Sequence, residues 1–362
     1  FTGASCNIRS AWEYCADVAT WSALVDGRKC VISLPVDANP YEIDGLSYGN
    51  LSTIYNTGST LSLDYSVTVQ GDAASFGAPT VTVKATSSLL SMFTIKPDAA
   101  IGMTKLSLAN LIIDGNNAVN ESCVDVNNIE SFSCSNVVVQ NCGQDTNGGG
   151  MSVQNIDGVA ITNASFLNNY GSRGGGMYVD ACADMTILHA YFENNVANMS
   201  GGGLYVNEIS DDMDISHTKF VSNSATFESG GGMSVQWFNN RMNLYDIEFT
   251  SNTAAATAGG GLYFYRSNVD MTVEKLKFDS NRAKFGAGFF LSALNNDATA
   301  VDLEFINNVG EVSGGGLYFY GENDGFSLTR STFGSNSVTA SSSWGGAIYA
   351  FQENDYMTIQ SC

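Results

Sequence analysis

The sequence Phe220-Val221-Ser222-Asn223, separated by six residues from Gly230-Gly231-Gly232-Met233-Ser234-Val235, decides the fold of this chain. The same pattern recurs with successive phenylalanines 26 to 29 residues apart. A fixed spacing of this size is typical of proteins built from stacked repeats. The Phe-x-x-Asn half occurs at Phe166/Asn169, Phe192/Asn195, Phe220/Asn223, Phe249/Asn252, Phe278/Asn281, Phe305/Asn308 and Phe333/Asn336. The glycine half occurs at 148–150, 174–176, 201–203, 230–232, 259–261, 286–288, 314–316 and 345–347.

The residues after each glycine cluster alternate in polarity, as a β-strand with one buried face requires. Met233 and Val235 occupy positions that are apolar in every unit, so both are expected to point into a core. Ser234 lies between them, at a position expected to face outward. A second strand precedes each phenylalanine, and a third contains it. Three short strands per unit predict an all-β fold, a parallel β-helix with three strands per coil and about twelve coils.

Equivalent residues of such a fold lie above one another, because neighbouring coils are about 4.8 Å apart. The phenylalanines would then stack in the core, where each buried ring contributes about 2 kcal/mol. The asparagines would form a ladder of amide hydrogen bonds in a turn, in which each side chain bonds its copies above and below. The glycines would supply positive-φ backbone at a corner of the coil. These Phe and Asn residues are therefore interpreted as structural and not as catalytic.

The repeat resembles that of the chlamydial polymorphic outer membrane proteins. Phe333-Gly334-Ser335-Asn336 followed by Gly345-Gly346-Ala347-Ile348 matches their motif nearly verbatim, and the similarity extends from Gly148 to the end of the sequence. The resemblance implies a right-handed parallel β-helix of the pectin-lyase-like class that is displayed at a cell surface and used in adhesion. It implies no catalytic site in these motifs. Those proteins end in a membrane β-barrel, and no barrel segment occurs in this sequence.

The chain is expected to form one continuous solenoid with three regions. Residues 1–34 form an N-terminal cap, in which a capping box at Ser10–Glu13 and a stop at Gly27 predict a helix over about 11–26, followed by a first strand. Residues 35–147 form irregular coils, and residues 148–362 form the regular coils. The last strand lies inside a coil, which suggests either a cut chain or head-to-tail self-assembly.

The charge of the chain excludes some partners. Fifteen basic and 36 acidic residues give a formal net charge of −21. Such an acidic chain is not suited to bind a phosphate backbone, so nucleic acid is excluded as a partner. Anionic membrane surfaces are disfavoured for the same reason. No run of 18 apolar residues occurs, so direct membrane insertion is not expected.

The eight cysteines are even in number and match no metal-binding motif. Disulfides would place the protein in an oxidising, extracellular setting, whereas the alternative is that the cysteines are buried thiols. The candidate disulfide cysteines are Cys6, Cys15, Cys30, Cys123, Cys134, Cys142 and Cys182, which leaves Cys362 as the odd one. Four N-glycosylation sequons, at Asn50, Asn120, Asn163 and Asn198, are no more than chance predicts in so Asn-rich a sequence.

Two groups of polar residues were weighed as an active site. Glu208, Asp211, Asp212 and Asp214 form the densest acidic cluster, interpreted as a solvated turn with a weak calcium site as the alternative. His189 and His217 each precede a phenylalanine by three residues, at a position that accepts both signs of charge in other coils. That variation indicates an exposed position without a specific role. No other cofactor is expected.

The middle position of the strand after the glycines forms an aromatic stripe. Such stacked rings can protect a sheet and stiffen the solenoid, or they can stack on sugars or dock a protein. The stripe consists of Tyr178, Tyr205, Tyr263, Phe290, Tyr318 and Tyr349, with Tyr265 and Tyr320 two residues further on.

These observations favour a non-enzymatic extracellular or cell-surface protein, a rigid rod that serves as an adhesin or as a subunit of a surface fibre or appendage. Its partner would be a protein or a glycan at a cell surface or matrix. The alternative is a β-helix protein that binds or cleaves a polysaccharide, as pectate lyases do.

Overall fold

The structure, a computed structural model, describes residues 28–34, 41–43, 65–71, 79, 81–85, 92–95 and 105–362, except for 209–210, 238, 267–269, 293–296 and 353. The predicted helix at about 11–26 lies outside these residues, as do the side chains of Cys6, Cys15, Cys30 and Asn50. No helix occurs among the described residues, and none of them forms a helical segment that could cross a membrane.

The described strands form three sheets in which the paired strands run parallel. Sheet 1 has ten strands and contains the residues after the glycines. Its strands are Phe93–Ile95, Val124–Asn127, Met151–Gln154, Met177–Asp180, Leu204–Val206, Met233–Val235, Leu262–Phe264, Phe289–Leu291, Leu317–Tyr320 and Ile348–Phe351. From the first of these strands to the last, the chain makes about nine turns of a parallel β-solenoid. The expected twelve coils include the chain before Phe93, most of which lies outside the described residues.

Sheet 2 has 21 strands and contains the strand before each repeat phenylalanine and the strand that carries it. Its strands are Arg28–Leu34, Tyr41–Ile43, Tyr65–Gly71, Val81–Ala85, Lys105–Asp114, Ser131–Gln140, Val159–Thr162, Ser165–Leu167, Met185–Leu188, Tyr191–Glu193, Asp214–Ser216, Lys219–Val221, Asn243–Tyr245, Glu248–Thr250, Thr272–Glu274, Lys277–Asp279, Thr299–Val301, Glu304–Ile306, Ser327–Thr329, Thr332–Gly334 and Thr358–Gln360. Sheet 3 follows the asparagines, with strands Tyr170–Gly171, Val196–Ala197, Ser224–Ala225, Thr253–Ala258, Arg282–Phe285, Val309–Ser313 and Ser337–Val338.

The repeat phenylalanines lie in register along the core, as the repeat predicts. Phe220 is aligned with Phe192 in one neighbouring coil and with Phe249 in the other. The six ring pairs from Phe166 to Phe333 have centroids 4.7 to 5.1 Å apart and planes within 7° of parallel. All these rings except that of Phe333 are fully buried, so the stack is the centre of the hydrophobic core.

The asparagines form the predicted ladder. Asn223 donates from Nδ2 to Oδ1 of Asn252 over 3.1 Å, and its backbone N–H donates to the same oxygen over 2.9 Å. The ladder begins one coil before the first repeat asparagine, where the N–H of Cys142 donates to Oδ1 of Asn169. Since the asparagines from Asn169 to Asn308 are buried, their bonds satisfy backbone groups that no water reaches.

The ladder contains more hydrogen bonds than the sequence predicted, as Asn195 illustrates. The sequence predicted bonds between amide side chains, and Nδ2 of Asn195 does donate to Oδ1 of Asn223 over 3.0 Å. The same nitrogen also donates to the carbonyl oxygen of Phe166 over 2.8 Å. Oδ1 of Asn195 accepts from the backbone N–H of Asn169 over 3.1 Å as well as from its Nδ2 over 3.0 Å. Because Asn195 is fully buried, its side chain satisfies buried backbone groups of the turn in addition to making the predicted amide bonds.

The two ends of the ladder show how far this arrangement extends. A bond from Nδ2 to a backbone carbonyl of the preceding coil recurs at every repeat asparagine. At the last of them, Asn336, this bond joins Nδ2 to the carbonyl oxygen of Phe305 over 2.8 Å. Asn336 is half-buried.

The glycines are required for two reasons, which one cluster illustrates. Gly230 has a φ of +72°, in the left-handed region that glycine adopts without a steric penalty. A Cβ on Gly231 would lie 2.5 Å from the carbonyl oxygen of Gly260 in the next coil. The coils therefore approach too closely for any side chain at that position.

One disulfide is present among the described cysteines. Cys123 is bonded to Cys142, and both side chains are buried. Cys134 and Cys182 are buried thiols instead, so the expectation that they form disulfides is not met. Cys134 is aligned with Leu108 in one neighbouring coil and with Ile161 in the other, so its column offers no cysteine partner.

Candidate functional site

The outer face of sheet 1 carries two rows of side chains along the axis of the solenoid. Row 1 is the middle position of each strand: Asp125, Ser152, Tyr178, Tyr205, Ser234, Tyr263, Phe290, Tyr318 and Tyr349. Row 2 lies two residues later: Asn127, Gln154, Asp180, Asn207, Gln236, Tyr265, Ser292, Tyr320 and Phe351. Both rows alternate with the buried positions of the strands, so they lie outside the core.

The phenylalanine and asparagine columns take no part in this face. Phe192 and Asn195 represent them, and both side chains are fully buried. Phe192 stacks on Phe166 and Phe220, and the hydrogen-bonding groups of Asn195 are all engaged within the ladder. A substrate on the outer face would therefore not reach either column, which agrees with the interpretation of these residues as structural.

The rings of row 1 are covered, although their position was expected to be exposed. Tyr205 and Tyr318 are each only 5 % exposed. The ring of Tyr205 lies 5.5 Å from that of Tyr178, and the ring of Phe290 lies 4.9 Å from that of Tyr318. The rings cover each other's faces, and residues directly before a glycine cluster also pack against them, as Phe285 packs against Tyr318. Row 1 therefore offers no open ring face to a sugar. The stripe therefore stabilises the sheet.

Row 2 is more open and changes character along the axis. Its first five members are amides and one carboxylate, whereas three of the last four are aromatic. Tyr320 is 43 % exposed and Phe351 is 42 % exposed, and their rings stack with centroids 5.6 Å apart. Gln154 and Gln236 each donate to the serine of row 1 in the same strand. Row 2 thus combines hydrogen-bonding groups with open ring surfaces, a combination suited to sugar rings.

The charges of four side chains act on Tyr205. Burial raises the pKa of Tyr205 to about 12; Arg173 opposes this increase, while Glu228, Asp180 and Glu208 add to it. The guanidinium of Arg173 lies 5.9 Å from the centroid of the Tyr205 ring. Arg173 and Glu228 precede strands of sheet 1, whereas Asp180 is the last residue of one strand and Glu208 follows the next, so the groups reach the outer face from both ends of the strands.

Hydrogen bonds hold two of these carboxylates in place. Asp180 accepts from the hydroxyl of Tyr178 over 3.2 Å and from Nδ2 of Asn207 over 3.0 Å. Glu228 accepts from the hydroxyl of Ser200 over 2.8 Å. Burial and then the charge of Asp180 raise the pKa of Tyr178 far above its ordinary value, so this hydroxyl remains protonated. The arrangement places carboxylates and a protonated phenol together on one face, where they can donate and accept hydrogen bonds.

The acidic cluster that the sequence indicated is divided in the structure. Glu208 belongs to the group around Tyr205. Asp212 receives two hydrogen bonds from Arg241 of the next coil, at 2.6 and 2.7 Å, which lower its pKa. Asp211 accepts from the backbone N–H of Asn240 over 2.8 Å, and Asp214 lies on sheet 2. In the described part of the chain, no three His, Cys, Asp or Glu residues are arranged to hold a metal ion.

The two histidines lie together on a bend of sheet 2, away from the rows of sheet 1. Their rings stack with centroids 4.9 Å apart, and Nδ1 of His217 lies 2.6 Å from Oδ2 of Asp246. Both are exposed and have positive φ. The position is exposed as predicted, but it takes part in specific contacts between coils that the sequence did not show.

The described sequon asparagines differ in accessibility. Asn163 is exposed at a bend between two strands. Asn198 accepts from the hydroxyl of Tyr170 and donates to Asp145, and Asn120 is half-buried. Their glycosylation stays a prediction.

Arg173 and Glu228 are the residues of this candidate site that sequence reasoning missed. Both lie in the variable segment directly before a glycine cluster, where the repeat specifies no residue type. Their one signal is that charged residues occur at this segment in two nearby coils.

Comparisons with known proteins support the fold. No family model and no curated protein sequence matches the chain. The A-module of the mannuronan C-5 epimerase AlgE4 from Azotobacter vinelandii is similar in structure, with a TM-score of 0.57 and 12 % sequence identity, over 98 % of this chain and 92 % of that one. The AlgE6 A-module from the same organism gives a TM-score of 0.53 and 14 % identity over 98 % and 95 %. The chain therefore has a parallel β-solenoid fold with structural neighbours in the pectate-lyase-like β-helix class.

These neighbours correct two expectations. The interpretation as a non-enzymatic surface rod is wrong, because two solved structures that match nearly the whole chain are A-modules of mannuronan C-5 epimerases. The chlamydial surface proteins share a motif with this chain, but no family match supports a closer relationship. The polysaccharide alternative fits the comparisons better.

Proposed function

We propose that the protein is a polysaccharide-active enzyme, and that an extended glycan lies along row 2 of sheet 1 and reacts beside Tyr205. The single observation that carries this proposal is that hydrogen bonds hold a carboxylate at each end of the strand of Tyr205, on the face whose open side chains suit sugars. Asp180 accepts from Asn207, which follows that strand, and Glu228 accepts from Ser200, which precedes it. The likeness to polysaccharide-modifying modules supports the same proposal through the fold.

The proposed reaction is cleavage of a glycosidic bond by acid–base catalysis. Such cleavage needs one carboxyl group to protonate the leaving oxygen and a second to act as base or nucleophile. Asp180 and Glu208 approach from one side of the face and Glu228 from the other, so a glycan between them would have a carboxyl group on each side. Arg173, which lies over the Tyr205 ring, would hold that ring in place beneath the sugar.

An activity assay with carboxylate variants tests this proposal. The protein is incubated with a panel of polysaccharides, and new reducing ends are measured. We expect Asp180→Asn, Glu208→Gln and Glu228→Gln to include at least two variants with a loss of activity of a hundredfold or more. Glu311→Gln, an exposed glutamate on sheet 3, is the matched control and should retain activity.

The result that would refute the proposal is equally specific. If the wild-type protein releases no reducing ends from any polysaccharide in the panel, or if all three carboxylate variants keep full activity, the site does not cleave glycans.

We further propose that the protein works outside the cell, where such polymers occur and where the disulfide Cys123–Cys142 is stable. Peptide mapping of the protein isolated from its source would test this, because a reduced pair would contradict it.

A further inference from the structure

The charge of the outer face bears on which polysaccharide it can bind. The two rows contain eighteen side chains, of which two, Asp125 and Asp180, are carboxylates and none is Lys, Arg or His. Glu208 and Glu228 add negative charge beside Tyr205. The formal net charge of the whole chain is −21, so no excess of positive charge elsewhere offsets the negative potential over this face.

Two arginines close to the rows contact aromatic rings. Arg173 lies over the ring of Tyr205, and Arg266 lies 4.3 Å from the centroid of Trp237 and 5.5 Å from that of Tyr265. A polymer with one carboxylate per sugar would need a cation at nearly every coil along its path. The rows supply none, and each acidic sugar beside Asp180 would meet charge of the same sign.

The remaining groups of row 2 recognise uncharged sugars. Asn127, Gln154, Asn207 and Gln236 present amides, which both donate and accept hydrogen bonds and so match sugar hydroxyls. Beyond them, Tyr320 and Phe351 expose ring surface against which the C–H faces of a sugar ring can pack. Neither kind of contact requires a charged substrate.

We infer that the substrate is a neutral polysaccharide, an extended chain of sugars without carboxylate or sulfate groups. This inference rests on the proposed function and narrows it, since an acidic polymer such as mannuronan would fit the same fold but not this face. It assigns row 2 as the specificity-determining surface.

A binding experiment with two classes of polymer tests the inference. Affinity electrophoresis of the full chain compares soluble neutral polymers, namely xylan, glucan and galactomannan, with polygalacturonate and mannuronan, at low and at moderate salt. We expect retention by at least one neutral polymer, and at least tenfold weaker retention by both acidic polymers. Tyr320→Ala should weaken retention by the neutral polymer severalfold.

Lysine substitutions then test whether charge sets the preference. Gln154→Lys combined with Gln236→Lys places two cations in row 2, and should create retention by the acidic polymers that disappears with added salt. Thr272→Lys, at an exposed position on sheet 2, adds a cation elsewhere and should create none.

Each outcome of this design is decisive. Retention of the wild-type chain by an acidic polymer that equals or exceeds that by neutral polymers overturns the neutral-substrate inference and leaves the proposed function standing. If no polymer of either class is retained or cleaved, the proposed function fails, and the inference fails with it.

Discussion

Asn252 donates from Nδ2 to Oδ1 of Asn281, which occupies the equivalent position in the next coil, over 3.1 Å. The same amide nitrogen donates to the carbonyl oxygen of Phe220 in the preceding coil over 2.8 Å. One side chain therefore links three successive coils. Its oxygen accepts in turn from the backbone N–H of Asn223 over 2.9 Å. The ladder is thus a continuous chain of buried hydrogen bonds that runs beside the phenylalanine stack.

Removing one step of this ladder should destabilise the solenoid. In Asn252→Ala, the carbonyl of Phe220 and the N–H of Asn223 lose partners in a buried site. Each buried polar group left without a partner costs about 1–3 kcal/mol, so we expect a loss of about 3 kcal/mol in the free energy of unfolding. Urea denaturation followed by circular dichroism measures this loss.

The neighbouring residue provides the control for the ladder. Ser251 is exposed and has a φ of +56°, so Ser251→Gly keeps the backbone conformation and removes no buried bond. It should unfold at the wild-type urea concentration. Equal midpoints for Asn252→Ala and Ser251→Gly would show that the ladder contributes nothing to stability.

The phenylalanine stack predicts a large difference between two phenylalanines that are seven residues apart. Phe220 is fully buried between the rings of Phe192 and Phe249, so Phe220→Ala should cost about 3–5 kcal/mol. Phe227 is 67 % exposed, so Phe227→Ala should change stability by less than about 0.5 kcal/mol. Thermal melting distinguishes the two, and comparable melting temperatures would contradict a core centred on the stack.

An added methyl group should destabilise the protein at one glycine and have little effect at another. In Gly231→Ala, the new Cβ would lie 2.5 Å from the carbonyl oxygen of Gly260, which forces two coils apart and costs about 1–3 kcal/mol or more. In Gly334→Ala, no heavy atom lies within 4 Å of the new Cβ. We expect the first variant to express poorly or melt early and the second to resemble wild type. An undisturbed Gly231→Ala variant would show that the coils are not this closely packed.

The sequence predicted the parts of the fold that every coil repeats. Phe166, Phe192 and Phe220 could be placed in one stack because a fixed period requires equivalent residues to lie above one another. Even in the irregular coil before Phe166, Val139 is aligned with that ring. The same period placed Asn195 in the ladder, but it could not show the bond to the carbonyl of Phe166, which depends on how the backbone turns between the two residues.

The parts that differ between coils could not be predicted in this way. Tyr318 was expected to be exposed because its position faces outward, but Phe285 from another segment covers it. The site around Tyr205 depends on Arg173 and Glu228, whose positions the repeat leaves variable. Their positions relative to Asp180 depend on the conformation of each loop, which the repeat spacing does not predict.

The buried thiols give a prediction about chemical reactivity. Burial raises the pKa of Cys134 to about 12 and that of Cys182 to about 11. At pH 8 only about one Cys134 side chain in ten thousand would be the reactive thiolate, compared with a substantial fraction for a cysteine with an ordinary pKa near 8.5. Iodoacetamide should therefore label exposed Cys362 while Cys134 and Cys182 stay unmodified.

Peptide mapping by mass spectrometry follows each cysteine separately, and the same protein labelled in denaturant is the control in which all three react. Because both pKa values are raised by folding, the stability they contribute is present below about pH 8.5 and is lost as the pH rises towards 11 and 12. Labelling of Cys134 should accordingly become measurable only at alkaline pH, where the fold is weakened. If Cys134 is labelled at pH 8 as rapidly as Cys362, its column does not lie in the core between Leu108 and Ile161.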